Sequence, residues 1–180
     1  MIRTTQMMLY EGLKRHLRSD RCLMLFVDNE HAPFGVHALC KEGLEFNRPA
    51  GEWQGPSAII KTVHSVNKKL MPVKGFKIAI FNDGTIFLDK IERKMAKGNS
   101  VLISIPLRLG LTSITQEYLN CLKKVFTMPQ NCGIVGGQDQ RSLWFIGIIN
   151  EHASKNPKLI YLDPHLVQDA LLTPALTKEQ

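Results

Sequence analysis

Asp163 and His165 stand one proline apart near the end of the sequence, in Leu159-Ile160-Tyr161-Leu162-Asp163-Pro164-His165. A carboxylate beside an imidazole is the orienter and base of a nucleophilic relay, in which the acid fixes the ring and the ring moves a proton. In an extended chain, residues two apart point to the same side with α-carbons about 6 to 7 Å apart, so both groups can face one cavity. Pro164 has a fixed φ and no N–H to give to a ladder, so it ends the strand and stiffens the presentation of its neighbours. Taken alone, the tripeptide also reads as a strand end breaking into a turn.

The elements that must position this pair come next. Apolar runs at 142–149 and 158–162 flank a polar segment containing Asn150, Asn156 and Pro157, which is the pattern of two strands joined by a loop. The glycine-rich stretch 133–137 is no phosphate loop, because no Gly-x-x-x-x-Gly-Lys follows and a strand stands where the helix is needed. It reads as a tight turn into the Trp144 strand.

At the other end, residues 1–18 place Ile2, Leu9, Leu13 and Leu17 near one helical face, with Lys14, Arg15 and Arg18 where cations suit the dipole. The run 23–28 after Cys22 reads as a buried strand, and 34–39 as a short helix with His37 among apolar neighbours as a structural histidine. A polar loop at 47–54 leads into a helix at 57–70, with Pro56 where helix starts tolerate proline. Trp53, just before it, reads as an aromatic anchor plugging the helix start into the core. Then come a strand at 76–81 with Asn82-Asp83-Gly84 as its turn and a basic-faced helix at 86–97. A short strand at 101–105, a loop at 107–112 and a helix at 115–126 complete the order, the last carrying Tyr118, Leu119, Leu122 and Val125 inward.

A chain of 180 residues suffices for one domain, burying roughly 70% of the surface its unfolded form exposes. At 44% hydrophobic and 22% charged residues it is ordinary globular material. No apolar run approaches a membrane span and the first residues are no secretory signal, so the expected compartment is the cytoplasm. Cys22, Cys40, Cys121 and Cys132 show no Cys-x-x-Cys pair, which indicates neither zinc nor a disulfide framework; all four read as small buried or partly buried hydrophobes. His16, His31, His64 and His152 read as surface or helix-face residues. No further ligand pair stands at a helpful spacing from Asp163 and His165, so no metal is expected. The net charge of +7 comes from dispersed lysines and arginines without interleaved aromatics, which argues against nucleic acid. It is compatible with steering toward an acidic protein or transient contact with an anionic membrane surface.

Several longer strings occur in one order: Met1-Ile2-Arg3, Gly51-Glu52-Trp53-Gln54-Gly55-Pro56, Ile105-Pro106-Leu107-Arg108-Leu109-Gly110-Leu111, Met128-Pro129-Gln130, Gly133-Ile134-Val135-Gly136-Gly137, Phe145-Ile146-Gly147 and the segment ending in His165. Together they resemble the autophagins, the papain-like cysteine peptidases of autophagy, over nearly the whole chain. The resemblance implies an α+β papain-like fold, an N-terminal helix packed on a mainly antiparallel sheet, in one partial domain spanning 1–180. It implies Asp163 and His165 as catalytic residues and no cofactor. Trp53 would line the narrow entry for the substrate tail, with Gln54 replacing an aromatic residue common in the family. The loop around Gly136 to Ser142 would overhang the site and move as substrate enters, hinged at Gly136 and Gly137 beside Gln138, Asp139 and Gln140.

The implied activity is hydrolysis after the C-terminal glycine of the ubiquitin-like autophagy modifier, in its precursor and in its phosphatidylethanolamine conjugate. In that family the nucleophilic cysteine immediately precedes the methionine matching Met1, within Gly-Trp-Gly-Cys-Met. It is absent from this sequence, and the chain stops soon after His165, so the sequence reads as truncated at both ends. A start methionine assigned inside a longer frame and a shortened paralogue are the two explanations. The alternative function is a non-catalytic fragment or pseudoenzyme that binds the modifier.

Overall fold

The computed structural model describes residues 1–110, 113–138, 141–149 and 158–166. Asp139, Gln140, His152, Asn156, Pro157, the end of the 107–112 loop and residues 167–180 lie outside them. The chain opens with α1 (Ile2–Leu17), which buries Leu9 and Leu13 completely. Its last turn carries Lys14, Arg15 and His16 against the negative end of the dipole, and Arg18 closes it in the left-handed conformation. Leu17 is 41% exposed. Each four-residue step turns about 40° beyond a full helical turn, so by Leu17 the row has left the face that Leu9 defines.

The expected strand after Cys22 is a 3-10 helix, Asp20–Phe26. Ser19 caps it by accepting the Arg21 N–H at 3.2 Å, and that local chemistry outweighs the apolar run. Cys22 and Phe26 turn inward while Leu23 and Met24 face solvent. Helix α2 (Val36–Leu44) follows, then α3 (Pro56–Leu70) with proline in its first turn. His37 is exposed beside Asp28 at 3.4 Å rather than held among apolar residues. His16, expected at the surface, ties α1 inward: its ring nitrogens meet Ser100 Oγ at 2.9 Å and the Lys74 carbonyl at 3.0 Å.

Strands β1 (Phe76–Ile80) and β2 (Ser100–Ser104) pair in parallel through a crossover containing α4 (Leu88–Met95). The Asn82-Asp83-Gly84 turn therefore feeds a crossover. Leu9, Leu13, Phe34, Leu39, Val63, Phe76 and Ile78 form the main core between α1, α2, α3 and β1.

The second sheet is antiparallel, in the order β3 (Ile134–Gln138), β4 (Arg141–Ile149), β5 (Lys158–Leu162), and α1 packs on it. Helix α5 (Gln116–Thr127) also lies against β4 and turns Leu122 inward. Cys121, one residue and so about 100° away on that helix, is exposed, contrary to expectation. The glycine-rich stretch is not a turn but β3 itself, with Gly136 opposite Leu143 and Gly137 opposite Ser142. Gly133, at φ +88°, sits where a Cβ would collide with the Trp144 indole, whose N–H donates to the Cys132 carbonyl at 3.0 Å.

Candidate functional site

The end of β5 delivers the acid and the imidazole. Asp163 Oδ1 accepts the backbone N–H of His165 at 3.0 Å and the ring Nδ1 at 2.6 Å. An ionised carboxylate can only accept, so Nδ1 carries the hydrogen and Nε2 is left for chemistry. Backbone and ring hydrogen bonds from His165, with a smaller contribution from Arg141, hold the Asp163 carboxyl below the usual carboxylate range. The acid is 6% exposed and the imidazole 48%, so one is fixed inside while the other is presented outward.

His165 lines a cleft of about 330 Å³ that opens against the front of α1. Met1, Ile2 and Arg3 form one wall, and Val36 and Cys40 of α2 contribute a second. The loop from Ala50 to Gln54 closes a third side, and Ser142 and Pro164 stand beside the imidazole. The positive end of α1 therefore shares a cavity with an imidazole, an arrangement that favours a negatively charged nucleophile or substrate group.

Trp53 is 46% exposed and lines the cleft, so it does not plug the core. Gln54 takes the inward position instead, and its Oε1 has no hydrogen-bond partner among the described residues. Asp163, His165 and Trp53 thus gather at one place. Gly136 and Gly137 do not line the cleft; they belong to β3, across the ladder from Leu143 and from the cleft residue Ser142. Sequence reasoning placed Arg141 and Ser142 in the overhanging loop but assigned neither a partner: Arg141 Nη2 lies 3.4 Å from Asp163 Oδ2, and the Ser142 hydroxyl meets Thr4 Oγ1 at 3.3 Å. Only the strand register could have pointed to them. Cys40 reaches the cleft, whereas burial pushes the thiols of Cys22 and Cys132 up. No cluster of three metal-ligating side chains occurs among the described residues.

The family model for the peptidase C54 catalytic domain matches residues 1–180. The chain belongs to the peptidase C54 family. Similar relatives include cysteine protease atg4da of Danio rerio, 32% identical over 147 residues, covering 79% of this chain and 29% of the relative. Cysteine protease ATG4D of Xenopus laevis is 32% identical over 154 residues, covering 79% of this chain and 32% of its own. Cysteine protease atg4 of Emericella nidulans is 34% identical over 157 residues, covering 84% and 37%. The chain spans about a third of the length of these relatives. The mixed helices and sheets agree with the α+β, papain-like arrangement expected for a C54 domain, with incomplete sheets. No described helix is long and apolar enough to cross a membrane.

Proposed function

We propose that this chain is a partial catalytic domain of a cytoplasmic cysteine peptidase that cleaves after the C-terminal glycine of the ubiquitin-like autophagy modifier. Its substrates would be the modifier precursor and the modifier joined to phosphatidylethanolamine, reached by transient contact with the membrane surface. The observation that carries this reading is the Asp163 and His165 pair opening into a cleft at the front of α1. That is where a thiolate gains from the helix dipole and from an imidazolium partner.

In the reaction a cysteine thiolate supplied at the front of α1 attacks the glycine carbonyl. His165 Nε2 gives its proton to the departing amine, then takes one from the water that hydrolyses the thioester. Asp163 holds the Nδ1 hydrogen throughout, so that Nε2 is the nitrogen that gains and loses the proton. Trp53 borders the slot in which a narrow glycine-ended tail would lie. The scheme needs no cofactor, and neither metal nor nucleic acid takes part.

A second reading, a modifier-binding fragment without turnover, draws on the thiols of this chain: Cys22 and Cys132 are raised by burial, Cys121 is exposed on α5, and Cys40, which lines the cleft, stands on α2 rather than at the front of α1. The two separate when modifier bearing a C-terminal extension is incubated with the 180-residue chain and with the same chain preceded by Gly-Trp-Gly-Cys. Cleavage by the extended chain, abolished in His165→Ala, supports the peptidase. Binding without cleavage in either form supports the fragment.

A further inference from the structure

Arg141 is the first residue of β4, and the register explains why it reaches the site. Trp144 pairs with Leu162, the last residue of β5, so Arg141, three residues before Trp144, stands close to the turn that holds Asp163 and His165. The short gap from Arg141 to the Asp163 carboxylate is one that a long side chain can span. The guanidinium does span it, with Nη2 at 3.4 Å from Oδ2, while Oδ1 serves the ring and the backbone of His165. The two oxygens of one carboxylate are thereby divided between two cations or potential cations.

We propose that Arg141 is a positioning residue, holding Asp163 through Oδ2 so that Oδ1 alone meets His165. This rests on the peptidase reading of the site. Arg141 is 64% exposed, and exposed ion pairs contribute little to stability, so its effect belongs in orientation rather than folding. The Asp163 side chain is 6% exposed, and among the described residues the charged groups acting on it are His165 and Arg141. Without the guanidinium, Oδ2 loses its charged partner and the carboxylate can rotate, so the ring is held by an acid that is itself less fixed. Arg141 directly precedes the cleft residue Ser142, so the hairpin bordering the cleft also grips the acid that aims the imidazole.

The test is Arg141→Met and Arg141→Lys in the full chain, followed by carbon-13 titration of the Asp163 carboxyl and nitrogen-15 spectra of the His165 ring. In Arg141→Met the Asp163 midpoint is expected to rise and the Nδ1–H ring population to fall, with Arg141→Lys recovering most of both. With the Gly-Trp-Gly-Cys extension, kcat should fall about three- to tenfold at unchanged KM. An Asp163 midpoint and ring signals unchanged in Arg141→Met overturn the proposal. These spectra need no turnover, so a failed peptidase reading shows separately, as no cleavage by the extended chain or cleavage that His165→Ala leaves intact.

Discussion

The hydroxyls of Thr4 and Ser142 meet at 3.3 Å, both residues being buried, and this contact fastens the first turn of α1 to the second residue of β4. Thr4 Oγ1 also reaches the Met1 carbonyl at 2.9 Å, so it can accept from Ser142 while donating to the backbone. The helix front and the sheet that carries His165 are thus joined by a polar link inside the molecule. Their relative placement sets the shape of the cleft.

Thr4→Val should expose the value of that link. The substitution keeps the shape but leaves the Ser142 hydroxyl buried without its partner, at a cost of about 1–3 kcal/mol. Thr4→Val with Ser142→Ala should recover part of the loss, since both ends are then apolar. Urea unfolding of the two single variants and the double variant measures the coupling; strictly additive losses would mean that the hydroxyls do not cooperate.

Asp163 gives the acid dependence of stability a definite sign. Its folded carboxyl titrates below the ordinary value, so the unfolded chain binds the extra proton as pH falls through about 3.9. Its contribution is complete above that range and is lost as pH drops further toward the folded value. Asp163→Asn removes the contribution, so the gap in urea midpoint between wild type and variant should narrow from pH 6 to pH 3. A gap that stays constant would show that Asp163 titrates alike in both states.

The sequence revealed these features where the decisive chemistry is local. Pro164 and Pro56 mark a strand end and a helix start by what a proline can and cannot do, and β5 and α3 begin and end close to expectation. The apolar run after Cys22 misled because Ser19 supplies a cap that alternation does not register. The reading of Trp53 as a core anchor failed, while its place at the cleft agrees with the resemblance, because size and hydrophobicity say nothing about which way a loop turns. Arg141 was illegible for another reason: its partner lies 22 residues away, and only the β4 to β5 register brings them together.

Gly136 and Gly137 should respond differently to the same change. Gly137 has φ +152°, and a Cβ there would run into the Arg141 carbonyl, whereas a Cβ on Gly136 meets Phe145 at an ordinary 3.8 Å. Gly137→Ala should cost about 1–3 kcal/mol and disturb the start of β4, while Gly136→Ala should stay within about 1 kcal/mol. Thermal unfolding together with hydrogen exchange at the Ser142 and Leu143 amides checks both. Equal losses at the two positions would place the constraint in the whole strand rather than in the Gly137 backbone.

Gln54 and Trp53 form a neighbouring pair in which stability and function should separate. Gln54 is 9% exposed with its Oε1 unpartnered among the described residues, so an apolar side chain of similar size relieves a desolvated carbonyl. Gln54→Leu is therefore expected to stabilise by about 1 kcal/mol, read as a higher thermal midpoint. Trp53, half in solvent, contributes less to the core, so Trp53→Ala should cost less than about 1 kcal/mol. On the peptidase reading its loss removes one wall of the tail slot and should raise KM for extended modifier more than it lowers kcat. If Trp53→Ala instead unfolds the chain, Trp53 is a core anchor after all, and its place at the cleft mouth would no longer mark a substrate entry.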